Sequence, residues 1–122
     1  DMADNTILVR ARYNDAAWQT MAREQTDRKS AFNSFCKAIG AELTNAYFSV
    51  TKGEAVMVVE GPPHLAAVIS QVLYASGSFQ YVETEHLLEA TATIELLSES
   101  MKFANSYEPP SRDEIDRMLL DE

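Results

Sequence analysis

Cysteine is almost absent from this chain. The 122 residues hold one, Cys36, so no internal disulfide framework can staple the fold, and a cytoplasmic setting is expected. Cations are scarce as well. Ten Lys+Arg stand against nineteen Asp+Glu, a formal charge of −9. Phosphate backbones and anionic bilayers attract clustered cations, so neither nucleic acid nor membrane is expected as a partner. No apolar run approaches the roughly 20 residues of a membrane span. The stretch DMADNTILVRARY has no basic n-region followed by an apolar core, so no signal peptide is expected. Histidine occurs twice, at His64 and His86, without the spacing of a ligand pair, and the lone cysteine lies elsewhere. No metal site and no cofactor are expected. Gly-rich phosphate loops, Gly-x-Ser-x-Gly and paired-cysteine motifs are missing too.

What is present is an ordinary globular composition, 46% hydrophobic and 24% charged, on a length that fits one domain with a real core. Its centre is Ala46 to Pro63, AYFSVTKGEAVMVVEGPP. Two apolar runs flank a polar break at Thr51-Lys52-Gly53-Glu54. The pattern predicts a hairpin, Glu42 to Val50 with Glu54 to Glu60, whose second strand feeds a helix. Phe48 and Val50 share a face with Ala46. Ala55, Met57 and Val59 alternate with Val56 and Val58, so the second strand is apolar on both faces. Helices can cover one face. A second subunit is the economical cover for the other.

The flanks follow the same logic. Thr6 to Tyr13 alternates as a strand, with Arg10 and Arg12 on the face opposite Ile7, Val9 and Ala11. Asn14-Asp15 suits a helix cap. Ala17, Trp18, Met21 and Ala22 form one short apolar stripe; Ala31, Phe32, Phe35, Cys36 and Ile39 form another, closed by Gly40. Pro62-Pro63 stop the hairpin, and a helix is expected over His64 to Ser76, then a strand from Phe79 to about Ala90. The order is β-α-β-β-α-β. It predicts an α+β fold of ferredoxin-like plan over residues 1–91, with an antiparallel sheet and helices on one face. Residues 92–122 are expected to add a helical extension: one helix from Thr91 to about Asn105, and a short one over Arg112 to Leu120 after Pro109-Pro110. The last is too short to stand alone and is expected to dock on its own body or on a neighbouring subunit.

At the hairpin the sequence resembles the GYD-domain family of small bacterial proteins. The family pattern is a Tyr-containing strand, a Gly-x-Tyr-Asp turn, an apolar strand and Glu-x-Pro. Here Tyr47 leads, Ala55 to Val59 is the apolar strand, and Glu60-Gly61-Pro62 follows in register. Arg28 to Phe32 resembles the family's Arg-x-x-x-Phe segment, and Val82 to Thr91 its Thr/Glu-rich last strand. The turn departs from the pattern: only the acidic character at Glu54 is kept. The resemblance spans roughly residues 6–95. It implies a dimeric or higher α/β-barrel type of assembly and brings no chemistry with it.

Candidate site residues therefore come from the chain itself. His64, at the start of a helix, and Tyr47 are the candidate catalytic groups. Trp18, Arg10, Arg12, Arg28 and His86 are the candidate ligand contacts. Each has an ordinary reading beside it: Arg10 and Arg12 pairing with carboxylates on a neighbouring strand, Trp18 packing in the core, and Cys36 an inert core thiol. Two functions compete. One is a homo-oligomeric small-molecule-binding or assembly module. The other is a cofactor-independent enzyme, of proton-transfer, isomerase or lyase type, acting on an aromatic or anionic metabolite in a pocket between sheet and helices.

Overall fold

A computed structural model describes residues 5–110 and Leu119. The helix expected over 112–120 lies, except for Leu119, outside the described residues. The chain divides into two compact units, 1–89 and 90–122.

In the first unit the alternation of Thr6–Tyr13 becomes β1, with Ile7, Val9 and Ala11 wholly buried. Asn14 then turns the chain into α1 (Asp15–Glu24). Its side chain accepts the Ala17 N–H at 2.9 Å and donates to the Gly77 carbonyl at 2.7 Å. One residue thus caps a helix and ties its start to a distant loop. Asn14→Ala removes both bonds. It should lower stability by about 0.5–2 kcal/mol for the cap alone, read as a lower denaturation midpoint at unchanged slope.

Gln25 ends α1 in a left-handed conformation, φ 52°. Asp27 caps α2 (Arg28–Ala38) by accepting from the Ser30 N–H and from its hydroxyl, and these two bonds hold its carboxyl below the usual range. Gly40 follows α2 at φ 83°. β2 (Glu42–Ser49) and β3 (Glu54–Glu60) form the expected hairpin. Gly53, at φ 64°, donates to the Ser49 carbonyl and closes the loop. α3 (Leu65–Ala75) buries Leu65, Ile69 and Leu73, and β4 (Phe79–Leu87) completes the sheet. The strand therefore ends three residues before the expected limit.

The sheet is wholly antiparallel, in the order β2-β3-β1-β4. The hydrophobic core joins Ile7, Val9, Ala11, Val59 and Val82 of the sheet to Cys36, Leu65, Ile69 and Leu73 of α2 and α3. Both helices thus pack on one face. Cys36 is fully buried, and burial pushes its thiol up to about 11. It is inert packing, as the sequence suggested. No helix of the first unit covers the opposite face, which carries Leu8, Val56 and Val58, each only partly buried, together with Arg10 and Arg12.

The second unit holds α4 (Ala92–Met101) and a 3-10 turn (Ala104–Ser106). Ile94, Leu97 and Met101 fall on one side of α4 and are exposed. With α1 to α3, this gives an α+β structure of four strands and four helices among the described residues. None of the described helices is long and apolar enough to cross a membrane.

Candidate functional site

The core face of the sheet is not filled at the end where β1 and β2 finish and β3 and β4 begin. A cavity of ≈ 770 Å³ lies between the sheet and the pair α1, α2. The reason is visible in the side chains. On that face β2 and β3 present Ala46 and Ala55, which are small, while α1 contributes no buried residue. α1 therefore stands off the sheet, and large aromatics reach in from the rim.

Tyr13 and Phe79 stack at one end, ring centroids 4.7 Å apart. Trp18 of α1 stacks nearly parallel on Phe48 of β2, 5.4 Å apart at 7°. Phe32 and Phe35 of α2 meet edge to face. Four of the five phenylalanines in the chain line this one space. Trp18 remains 49% exposed, so it is a wall rather than core. The ionisable lining besides the tyrosines is Glu24, Arg28 and Lys29. Lys29 also bears on Asp27, whose carboxyl it helps to hold down. The Arg28 side chain has no hydrogen bond or ion pair among the described residues.

Of the residues singled out from the sequence, the structure brings Trp18, Arg28 and Tyr47 to the cavity. Tyr47 sits at its rim only. Alternation along β2 puts its ring with Asn45 on the other sheet face, where the Asn45 amide donates to its hydroxyl at 3.2 Å. Arg10 pairs with Glu85 of β4 at 2.7 Å, also on that other face. Arg12 borders a small hollow shared with Asp15, Trp18, Gly53 and Gln80. His64 stands exposed at the N-cap of α3. His86 lies on β4 opposite Ile7. Neither histidine lines the cavity, and they do not converge with Tyr47. Among the described residues no cluster of His, Cys, Asp and Glu could hold a metal.

Phe48, Phe79 and Tyr13 were legible as strand residues but not as a site. Their signal was that aromatics on the helix-facing side of three strands all fall at one end of the sheet, and that requires the strand order.

One polar pair was not foreseen. Glu54, only 4% exposed, accepts a hydrogen bond from the Tyr81 hydroxyl. Arg12 of β1 lies in register with both. The Glu54 carboxylate, by hydrogen bond first and by charge as well, raises the Tyr81 pKa above its ordinary value of 10.0. The folded chain thus holds this proton more tightly than the unfolded chain does. Its stabilisation is complete below about pH 10 and is lost as pH rises through the raised folded value. Tyr81→Phe should abolish that alkaline loss. The stability gap between wild type and variant should be widest below pH 10 and close above it, as followed by urea denaturation across pH.

The family comparison agrees with the hairpin. Residues 8–97 match the family model of the GYD domain, and the chain belongs to that family. No match was found among curated proteins or solved structures.

Proposed function

We propose that this GYD-domain chain is a homo-oligomeric binding module that holds a small molecule in the cavity between its sheet and α1–α2. The observation that carries this reading is the cavity itself. At ≈ 770 Å³ it has the size of a small-molecule site and an aromatic lining with few polar groups. The enzyme reading asks for a general base beside the substrate. The cavity's titratable groups are Glu24, Arg28, Lys29 and tyrosines, and the favoured histidine, His64, stands elsewhere. The weight therefore falls on binding.

The oligomer rests on the other sheet face. The antiparallel strand order β2-β3-β1-β4 supports the ferredoxin-like plan proposed for it. Such a sheet leaves one side for a partner. Here that side mixes Leu8, Val56 and Val58 with Arg10 and Arg12 on the middle strand and Glu83 and Glu85 on the edge. Both charge signs on one apolar-centred patch suit an isologous contact, in which each copy meets the same surface of the other. Two sheets face to face would form the α/β-barrel type of dimer. Sedimentation equilibrium of the full chain tests this half of the proposal. A dimer or higher species is expected, and a monomer at micromolar concentration would remove it.

A further inference from the structure

We infer that the cavity's ligand is a planar aromatic acid, its ring system lodged among the aromatic walls and its anion on Arg28. This rests on the binding reading above and adds the ligand's chemical class.

Three observations lead to it. The walls are rings, arranged as the pairs Tyr13–Phe79, Trp18–Phe48 and Phe32–Phe35. Rings gain most from a flat aromatic guest, through offset stacking and edge-to-face contact beyond simple area burial. The second observation is charge. In a chain of net −9, the cavity lining carries two cations, Arg28 and Lys29, against one carboxylate, Glu24. A lining of the opposite sign to the whole selects an anion locally. The third is the state of Arg28. It opens α2 immediately after the Asp27 cap, borders the cavity and has no partner among the described residues. Lys29 makes no ion pair among the described residues but lies within charge range of Asp27, and Asp27 already satisfies the Ser30 N–H. The guanidinium has unused donors, and its planar fork matches a carboxylate with two parallel bonds, which the point charge of Lys29 does not.

The test uses two probes of one shape, 2-naphthoate and neutral 2-naphthylmethanol, titrated into the full chain. Trp18, the only tryptophan, lines the cavity and reports through its fluorescence. Saturable quenching by 2-naphthoate, with naphthylmethanol binding at least about tenfold more weakly, is expected. Arg28→Gln should lose most of that preference while still binding naphthylmethanol as wild type does. Circular dichroism confirms the fold of the variant, which is expected because Arg28 is exposed. If both probes bind equally, or if Arg28→Gln leaves the preference intact, the aromatic-acid assignment falls and the cavity reading stands. If neither probe quenches Trp18, or if Ala55→Phe, which narrows the cavity floor, leaves both affinities unchanged, then the cavity reading itself falls, and the inference with it.

Discussion

Ile69→Ala should cost about 2–5 kcal/mol of stability, the range for removing a large buried aliphatic side chain and leaving a void. Ile69 has no exposure and sits where α3 meets the middle of the sheet, in the cluster with Ile7, Val9 and Val59. Those residues belong to β1, β3 and α3, so no local rearrangement can refill the gap. The control is on the same helix. Val72 is apolar as well, yet it is 44% exposed. Val72→Ala should stay within about 0.5 kcal/mol. Urea denaturation of the three proteins separates the cases. Equal losses at both positions would mean that α3 packs in another rotation than the one described.

Val58→Arg should convert the proposed oligomer to monomer. Val58 lies between Asn45 and Leu8 on the sheet face opposite α2 and α3. It is only partly buried in the single chain, so an arginine there can reach solvent and the fold should survive. In a face-to-face pair the same arginine meets its symmetry mate in a desolvated seam. An unpaired buried charge costs about 3–5 kcal/mol, which corresponds to a dissociation constant at least about a hundredfold weaker. Light scattering reads the mass and circular dichroism the fold. A variant that stays oligomeric and folded would place the subunit contact on another surface.

Much of the fold was legible because its signals are local. The period-two alternation of Thr6 to Tyr13 put Ile7, Val9 and Ala11 on the buried face, as found. Asn14 as a cap, Gly40 after a helix and the hairpin around Gly53 each follow from one residue's backbone preference. Where strands and helices end was less legible. β4 stops at Leu87 although Leu88-Glu89-Ala90 continues a plausible run, and the helix expected to reach Asn105 gives way at Met101 to a 3-10 turn.

The site was less legible for a physical reason. A cavity is made by what is missing between elements, here the small Ala46 and Ala55 beneath a helix that buries nothing. Sequence periodicity records what packs, not what stands off. Trp18 and Arg28, both named from the sequence, do border the cavity. His64, named for its place at a helix start, does not line the cavity, and only the fold shows what faces such a position. Glu54 stood out as the one acidic survivor of the family turn. Its partner Tyr81 lies 27 residues on and two strands away in the sheet, which no spacing rule reveals.

The central claim is that this chain assembles with itself and holds a small molecule between sheet and helices. Native mass spectrometry of freshly purified full-length protein tests both halves in one spectrum. The account predicts a dimer or higher multiple carrying a reproducible extra mass of small-molecule size, released on denaturation. A bare monomer, at concentrations where weak dimers are populated, would contradict it.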